Sequence, residues 1–307
     1  MASLSDLRGK RILVTGASGF TGRYVVAELQ AHGSHVIALG GPGSISGAAD
    51  QHVVADMRDK SALAAAVTEA RADMVVHLAA LAFVGHDQAE EFYSVNMLGT
   101  RNLLVALEQV QRVPERVLLA SSANVYGNAL SGRLDETTMP APANDYAVSK
   151  LSMEHIAGLW RGRLPITITR PFNYTGVGQA EHFLVPKIVS HFVRRAPAIE
   201  LGNVEVSRDF GDVRAVASAY RSLLQVPANN EVLNVCSGRG LTLMQIIEMC
   251  TALTGHRLDV LVNPEFVRAN EVKTLLGSNE RLRSWIGDWQ TPPFEQTLAW
   301  MLGAWPH

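Results

Sequence analysis

A chain of 307 residues is long enough to bury a large hydrophobic core, as one large domain or as a major and a minor lobe. Hydrophobic residues make up 47% and charged residues 18% of it, which excludes the composition typical of disordered chains. The formal net charge is -2 and basic runs are short, so we expect no nucleic-acid partner.

The two cysteines, Cys236 and Cys250, are too few for a disulfide framework, and both lie in apolar surroundings. We therefore expect small buried thiols in a reducing compartment. The first residues contain no apolar stretch of the secretory type, and no apolar segment has the length needed to cross a bilayer. The sequence predicts a cytoplasmic protein that does not enter a membrane.

Short apolar runs alternate with helical patterns through the first half of the chain. The predicted strands are residues 11–15, 36–39, 53–56, 74–78, 116–121 and 166–170. The predicted helices are residues 21–31, 60–71, 90–111 and 145–161, and the Gly-, Ser- and Pro-rich residues 40–47 are predicted to form a loop. This alternation predicts an α/β fold with right-handed crossovers, that is, a Rossmann-type doubly wound parallel sheet.

Beyond Pro171 the alternation loosens, and Gly, Pro and Asn become denser. We therefore predict a dinucleotide-binding Rossmann domain at residues 1–172 and a smaller C-terminal lobe, mainly residues 173–307. We interpret this lobe as the substrate-binding side. Residues 211–236 contain a helical pattern and an apolar run that we expect to return to the main sheet.

Three glycines, Gly16, Gly19 and Gly22, stand between the first predicted strand and the first predicted helix. Gly16 permits the tight turn, Gly19 lets the backbone approach a pyrophosphate, and Gly22 lets the helix pack close to the strand. The helix N-terminus offers unpaired N–H groups and a positive dipole end to the phosphates. An ordinary glycine turn has the same residues, but the strand–turn–helix context favours a dinucleotide site.

The residues after the second predicted strand bear on which coenzyme binds. An NAD site usually has Asp or Glu there for the ribose hydroxyls, whereas this chain has Gly40 and Gly41. No carboxylate is therefore present to repel a 2′-phosphate, and Ser44 or Ser46 can hydrogen-bond one. Arg23 is a candidate positive partner, although a solvated helix arginine is an equally good interpretation. The pattern leans towards NADP(H) and leaves NAD(H) open.

Tyr146 and Lys150 are four residues apart in a predicted helix, so they share one face. A nearby ammonium stabilises phenolate, so we expect Lys150 to lower the pKa of Tyr146 and make it a proton donor or acceptor near neutral pH. Upstream, the serines at 121–122 leave a strand end, where open α/β sheets bind ligands. A hydroxyl, a phenol and a lysine around a nicotinamide suffice for hydride transfer to a carbonyl. The spacing of His, Cys, Asp and Glu predicts no metal site.

Along essentially its whole length the chain resembles the extended short-chain dehydrogenase/reductases. The matching segments are the glycine turn, residues 56–57, 77–80, 96 and 120–127, the Tyr146/Lys150 pair and residues 170–173. The resemblance implies that Tyr146 is the acid/base, that Lys150 holds the nicotinamide ribose, and that Ser122 hydrogen-bonds the sugar oxygen. The cofactor-binding residues that it implies are Gly16, Ser18, Gly19, Phe20, Gly22, Asp56, Met57, Leu78, Ala79, Ala80, Asn96, Tyr146, Lys150 and Phe172.

Positions 123 and 124 separate the reactions of this family. Sugar 4,6-dehydratases similar to this chain have an acidic residue two positions before the tyrosine of the Tyr-Gly pair, often with a second one beside it. Here the two positions are Ala123 and Asn124, and neither side chain acts as a base at neutral pH. Dehydration is therefore disfavoured, whereas ketone reduction and C4 epimerisation need only Ser122, Tyr146 and Lys150.

Within the family, residues 170–179, 206–213 and 234–238 are most similar to the reductases that convert GDP-4-keto-6-deoxy-D-mannose to GDP-D-rhamnose. The resemblance implies a nucleotide-sugar substrate. The substrate-binding residues that it implies are Ser122, Asn124, Asn173, Lys187, Arg208, Arg268 and Glu271. Guanidinium and ammonium groups suit a diphosphate, although each arginine taken singly is as readily a solvated surface charge.

Two other functions stay open on the same fold. A nucleotide-sugar 4-epimerase would retain tightly bound NAD and turn over without added reductant. A non-catalytic dinucleotide sensor is the third hypothesis, but such proteins commonly lose the Tyr/Lys pair that this chain keeps. In the family the helices at about 90–111 and 146–160 also form the four-helix bundle of a dimer, so the resemblance implies a homodimer.

Overall fold

The computed structural model describes residues 5–44, 48–82, 88–127, 132–227, 230–266 and 274–305. Its strands are β1 (Arg11–Thr15), β2 (His35–Gly40), β3 (Gln51–Val54), β4 (Met74–His77), β5 (Arg116–Ala120), β6 (Gly132–Leu134), β7 (Ile166–Pro171), β8 (Asn173–Thr175), β9 (Ala198–Leu201), β10 (Ser207–Asp212), β11 (Val232–Val235), β12 (Gly240–Thr242), β13 (Asp259–Val262) and β14 (Thr274–Gly277).

The described helices are α1 (Phe20–Ala31), α2 (Lys60–Ala70), α3 (Ala89–Phe92), α4 (Thr100–Gln109), α5 (Asp145–Gly158), α6 (Leu184–Val193), α7 (Val213–Gln225), α8 (Leu243–Thr254), α9 (Glu280–Ile286) and α10 (Phe294–Ala304). A π-helical turn at Tyr93–Gly99 joins α3 to α4, and short 3₁₀ turns lie at Ala123–Tyr126 and Pro264–Phe266. None of the helices in the described ranges is both long enough and apolar enough to cross a membrane.

Seven parallel strands form the main sheet, in the order β11-β7-β5-β4-β1-β2-β3. Central strands lack polar alternation because both faces are covered, and all four residues of β4 are buried. The direction of winding reverses between β1 and β4, and doubly wound sheets bind ligands at the carboxyl ends of the strands beside such a point. The predicted Rossmann-type doubly wound parallel sheet is confirmed.

Helices cover both faces of this sheet. Leu29 of α1 and Leu223 of α7 belong to the core on one face. Leu63 of α2, Leu103 of α4 and Met153 of α5 belong to the core on the other. Burying one such side chain contributes about 1.5–3 kcal/mol, so these apolar faces fix α1, α5 and the turns that precede them against the strand ends.

Two smaller sheets lie in the second half of the chain. The first has the order β12-β10-β14-β6, with β8 also pairing with β10, and in the second β13 pairs with β9. A separate core holds them against α6, α8 and α10 and includes Ile188, Ile246 and Leu298. Within residues 211–236, β11 pairs in parallel with β7 of the main sheet.

Three elements differ from the sequence prediction by more than one residue at an end or by an interruption. β3 begins at Gln51 and ends at Val54, because it is an edge strand that exposes His52 and Val54 on alternate positions. The predicted helix 90–111 contains the π turn, which periodicity alone does not reveal. The predicted helix 145–161 ends at Gly158.

The buried carboxylate of Asp209 on β10 links three strands. Its Oδ1 accepts hydrogen bonds from the backbone N–H of Ser237 (2.8 Å) and from the Ser237 hydroxyl (2.7 Å). Its Oδ2 accepts from the backbone N–H of Gly238 (2.9 Å) and of Gly277 (3.3 Å). Because Ser237 and Gly238 follow β11 and Gly277 ends β14, this one side chain connects the main sheet to the smaller one.

We expect Asp209→Asn to lower the free energy of unfolding by about 1–3 kcal/mol, because an amide NH₂ would face N–H donors and leave them unsatisfied. Urea denaturation measures this change. Asp259→Asn is the matched control, since Asp259 is exposed on β13 and its loss should stay within about 0.5 kcal/mol. Equal stability of the two variants would contradict the role given to Asp209.

Candidate active site

A cavity of about 920 Å³ opens at the carboxyl ends of β1, β4, β5 and β7 and extends to β9 and β10. This volume lies near the top of the roughly 300–1,000 Å³ range of ligand sites. The predicted site residues that line it are Gly16, Gly19, Phe20, Gly22, Leu78, Ala80, Ser122, Asn124, Tyr146, Lys150, Phe172, Asn173, Lys187 and Arg208. The fold therefore brings the glycine turn, the Ser/Tyr/Lys set and the predicted diphosphate contacts to one cavity.

The other predicted site residues lie beside this cavity or outside the described residues. Ser18 lines a small neighbouring pocket together with Ser44. The carboxylate of Asp56 accepts hydrogen bonds from the Arg58 side chain, at 2.6 Å for the shortest pair. The predicted cofactor residues Met57, Ala79 and Asn96 are not among the cavity-lining residues. The predicted substrate residues Arg268 and Glu271, and Ser46 of the coenzyme argument, fall outside the described ranges.

The glycine turn packs so closely against neighbouring backbone that side chains at Gly16 and Gly22 would have no room. Gly16 has φ +67°, and a Cβ there would lie 2.8 Å from the backbone nitrogen of Ala79. A Cβ on Gly22 would lie 2.2 Å from the Gly16 carbonyl oxygen. The N-cap of α1 is Gly19, which provides no side-chain cap to the first N–H groups of the helix. A cavity wall of bare backbone ending at a helix N-terminus fits the pyrophosphate of a dinucleotide.

A buried network of hydrogen bonds positions the carboxyl ends of β1 and β4 beside the glycine turn. Thr15 Oγ1 lies 2.6 Å from His77 Nδ1, and His77 Nε2 lies 2.8 Å from Thr100 Oγ1. Burial lowers the pKa of His77 to about 3, so the ring is neutral and holds one proton. Since the Thr100 hydroxyl donates to the Asn96 carbonyl (2.6 Å), His77 donates from Nε2 and accepts from Thr15 at Nδ1. His77 is therefore a structural residue.

Asn96 lies in the π turn and holds the loop after β4. Its Oδ1 accepts from the backbone N–H of Leu81 (2.8 Å), and its Nδ2 donates to the Leu81 carbonyl (3.0 Å). The same Nδ2 also donates to the Ser149 hydroxyl on α5 (3.0 Å). Asn96 therefore shapes the cavity wall formed by Leu78 and Ala80 by fixing the backbone behind it.

Ser122, Tyr146 and Lys150 converge on the cavity from two elements. Ser122 caps the 3₁₀ turn that follows β5, and its hydroxyl accepts from the backbone N–H of Asn124 (3.1 Å). Helix α5 begins at Asp145 because the Asn144 side chain accepts from the backbone N–H of Ala147 (2.9 Å). Tyr146 therefore stands in the first turn, and Lys150 follows one turn later on the same face.

The protonation of Tyr146 differs from the sequence expectation. Desolvation raises the pKa of Tyr146 to about 12, against the opposing effect of a hydrogen bond with Ser122. The ammonium of Lys150 instead donates to the Ala120 carbonyl (2.8 Å), and burial lowers the pKa of Lys150 to about 8. The expected acidification of the phenol by Lys150 is therefore wrong for this arrangement. At neutral pH Tyr146 is a protonated phenol.

Two tyrosines that the sequence analysis did not single out also line the cavity. The hydroxyl of Tyr174 lies 2.7 Å from Thr21 Oγ1, which ties β8 to the first turn of α1. Its ring is stacked on Phe20, with the centroids 6.2 Å apart. Tyr220 of α7 is fully buried and accepts from the Thr169 hydroxyl (3.2 Å). Tyr174 lies in the segment 170–179, which the sequence analysis matched only as a whole, whereas no motif surrounds Tyr220; both reach the cavity through contacts distant in sequence.

The predicted substrate contacts come from the smaller lobe. Lys187 of α6 donates to the backbone carbonyl of Glu200 (2.8 Å), and Asn173 donates to the carbonyl of Asp209 (3.1 Å). Arg208 of β10 donates to the carbonyl of Ser207 (3.0 Å). Lys187 and Arg208 give this part of the wall a positive character suited to a diphosphate. Within the described part of the chain, no group of three or more His, Cys, Asp or Glu residues is placed to hold a metal ion.

Known proteins match this chain over most of its length. Residues 12–236 match the model of the NAD dependent epimerase/dehydratase family. The GDP-6-deoxy-D-talose 4-dehydrogenase of Aggregatibacter actinomycetemcomitans is 34% identical over 278 residues, which cover 91% of this chain and 92% of the relative. The GDP-6-deoxy-D-mannose reductase of Pseudomonas aeruginosa is 32% identical over 308 residues, which cover 96% and 97%.

Two solved structures show the same architecture. A candidate epimerase from Burkholderia cenocepacia J2315 has a TM-score of 0.92 and 49% identity, and covers 97% of this chain and 98% of its own. The protein RMD of Pseudomonas aeruginosa, solved with NADPH, has a TM-score of 0.84 and 31% identity, and covers 97% of each chain.

Fold and site together define an NAD(P)-dependent oxidoreductase of the short-chain dehydrogenase/reductase type. Within that class, the chain belongs to the NAD dependent epimerase/dehydratase family. The sequence prediction of this family, of enzymatic activity and of an NADP(H) or NAD(H) cofactor is therefore confirmed.

We expect the affinity for NADPH to fall as the pH rises through about 8, because the ammonium of Lys150 is present below its pKa and lost above it. Loss of a charge-assisted hydrogen bond to the ribose should weaken binding by about 10- to 100-fold in total. Titration of coenzyme fluorescence across this range measures the effect.

Two variants control the pH experiment. Lys150→Met should bind NADPH weakly at every pH, whereas Lys187→Met, which changes a lysine at the other end of the cavity, should keep the wild-type pH dependence. A wild-type affinity that does not change between neutral and alkaline pH would rule out a coenzyme contact of the Lys150 ammonium.

Proposed function

We propose that this enzyme reduces the C4 ketone of a nucleotide-linked 4-keto-6-deoxyhexose, with GDP-4-keto-6-deoxy-D-mannose as substrate and GDP-D-rhamnose as product. The observation that carries the proposal is the protonated phenol of Tyr146 beside Ser122, in the cavity that begins at the coenzyme turn. The names of the two curated relatives, both of which concern GDP-6-deoxy sugars, support it.

Three side chains have different roles in this reduction. When bound, the reduced coenzyme supplies a hydride to C4, so that O4 takes up negative charge. Tyr146 donates its proton to O4, which completes the alcohol, and the Ser122 hydroxyl donates a hydrogen bond to the same oxygen. Lys150, held by the Ala120 carbonyl, lies one helical turn behind Tyr146 and binds the nicotinamide ribose.

The proposal assigns the two parts of the chain different ligands. Residues 1–172, together with 211–236, bind the dinucleotide, and the rest of residues 173–307 binds the nucleotide sugar. Lys187, Arg208 and Asn173 hold the diphosphate, and Arg268 and Glu271 are assigned to the nucleotide by resemblance alone. The positions of Ala123 and Asn124, which offer no carboxylate at the end of β5, argue against dehydration.

The configuration of the product at C4 gives a second candidate. Talose and mannose differ only at C4, and one relative is named a GDP-6-deoxy-D-talose 4-dehydrogenase. Hydride delivery to the opposite face of the same ketone would therefore yield GDP-6-deoxy-D-talose. A 4-epimerase can be distinguished from both reductases because it consumes no reductant.

We expect the wild-type enzyme to oxidise NADPH or NADH in equimolar amounts with GDP-4-keto-6-deoxy-D-mannose and to turn over dTDP- and UDP-ketosugars more slowly. Tyr146→Phe should lower kcat by about 10²–10⁴-fold, the usual contribution of a general acid, while coenzyme affinity stays unchanged. Absorbance of the reduced nicotinamide follows the reaction, and NMR of the product identifies the C4 configuration.

Two results would count against this assignment. Absence of coenzyme oxidation with every ketosugar would reject the reductase, and epimerisation of a nucleotide sugar without added reductant would favour the epimerase. An unchanged cellular role of the Tyr146→Phe protein would favour the sensor.

We also propose a cytoplasmic homodimer that associates through α5 and the helical segment from α3 to α4. Both regions expose a large apolar side chain: Leu98 in the π turn is 47% exposed, and Leu159 directly after α5 is 67% exposed. Isolated exposed leucines are common, so the pairing of these two helices in the family is the stronger support.

The double variant Leu98→Glu, Leu159→Glu should run as a monomer in size exclusion with light scattering, because two charges would be buried in the bundle. The control is Leu253→Glu on α8, where the leucine is 39% exposed, and it should stay dimeric. A monomeric wild type, or a double variant that remains dimeric with native spectra, would exclude this interface.

A further inference from the structure

The charges that line the cavity are unevenly distributed. Among its described lining residues, the charged side chains are the cations Lys150, Lys187 and Arg208 and one carboxylate, Glu200. Cations are expected around a diphosphate, but a carboxylate close to that group would be repelled by it. Glu200 must therefore face a part of the ligand that offers hydrogen-bond donors.

The strand β9 fixes where the Glu200 carboxylate stands. Its neighbours Ile199 and Leu201 are buried in the core of the smaller lobe, so the alternation of the strand turns Glu200 to the opposite face, where it is exposed. Asn263 donates from Nδ2 to the Oε2 of Glu200 (3.3 Å), which helps to orient the carboxylate. Lys187 donates to the Glu200 backbone carbonyl (2.8 Å), so the cation and the carboxylate are neighbours in the wall.

A nucleoside diphosphate joins an anionic diphosphate, through a ribose, to a base that carries hydrogen-bond donors, and a wall with a carboxylate beside cations can contact both parts. We propose that Glu200 recognises the base of the substrate and selects guanine, because its carboxylate accepts hydrogen bonds from N1–H and from the 2-amino group. This inference rests on the proposed nucleotide-sugar function. It goes beyond that function in assigning the choice of base to one side chain.

The chemistry of the bases supports this choice. Guanine presents two adjacent donors, which match the two oxygens of a carboxylate. Uracil and thymine present a single N–H between two carbonyl oxygens, and a carboxylate would repel those oxygens. A site that hydrogen-bonds a ligand group discriminates against an analogue that lacks it, because the bound ligand shields the partner from water and leaves it unpaired.

The test compares diphosphates that differ only at the base, with binding to the full-length enzyme measured by calorimetry. Wild type should bind GDP about 10- to 100-fold more tightly than IDP, which lacks the 2-amino group, and than UDP. In Glu200→Gln the preference for GDP over IDP should disappear. The same variant should bind xanthosine diphosphate better than GDP, because its amide can donate to the 2-carbonyl of xanthine.

Glu205→Gln is the matched control. Glu205 is exposed in the same lobe, outside the residues that line the cavity, and its variant should keep the wild-type order of affinities. NADPH affinity should be the same in both variants and in wild type.

Each outcome decides between the two claims. An equal loss of GDP and UDP affinity in Glu200→Gln would mean that Glu200 contacts the ribose or folds the wall, and would overturn base reading. Equal wild-type affinity for GDP and IDP would also overturn it. If the base preference depends on Glu200 but no ketosugar is reduced, Glu200 still selects the base and the proposed reaction is wrong.

Discussion

The buried ion pair between Glu154 and Arg170 is the contact on which the geometry of the site depends. Arg170 Nη2 lies 2.7 Å from Glu154 Oε2, and each side chain is 6% exposed. Ser121 donates to Oε1 of the same carboxylate (2.5 Å), so one glutamate of α5 binds both β5 and β7. Because Glu154 lies one turn beyond Lys150, the pair fixes the rotation of the helix that presents Tyr146. Removing one partner of such a pair typically costs about 3–5 kcal/mol.

A second set of contacts positions the coenzyme turn against the same helix. The hydroxyl of Thr15 at the end of β1 accepts from the backbone N–H of Ala79 (3.0 Å) and donates to His77. His77 is hydrogen-bonded to Thr100, Thr100 to the Asn96 carbonyl, and the Asn96 side chain to Ser149 on α5. The glycine turn and the helix that carries Tyr146 are thus held by one continuous buried network. Every step uses a neutral group, so the network carries no desolvation cost of a charge.

The sequence predicted those parts of the structure that local patterns encode. The glycines of the turn and the Tyr146/Lys150 spacing depend on neighbours within one helical turn, and buried strands give continuous apolar runs. The smaller sheets were not predicted, because β6, β8 and β12 have three residues each and pair with strands far away in sequence. Tyr174, Tyr220 and Glu200 were missed for the same reason. The ionisation of Tyr146 was mispredicted because burial, which depends on the whole fold, outweighs the proximity of a cation.

That ionisation bears on the direction of the reaction. A phenol whose pKa is raised to about 12 is almost entirely protonated at neutral pH, so it is ready to donate and rarely able to accept. An alkoxide is far more basic, with the reference pKa of water at about 15.7, so proton transfer from Tyr146 to a developing O4 alkoxide remains favourable. Oxidation of an alcohol, the first half of an epimerisation, requires the phenolate instead. Creating it at neutral pH costs about 1.4 kcal/mol for each unit between the pH and the pKa. The burial of Tyr146 therefore suits donation of a proton to a developing alkoxide.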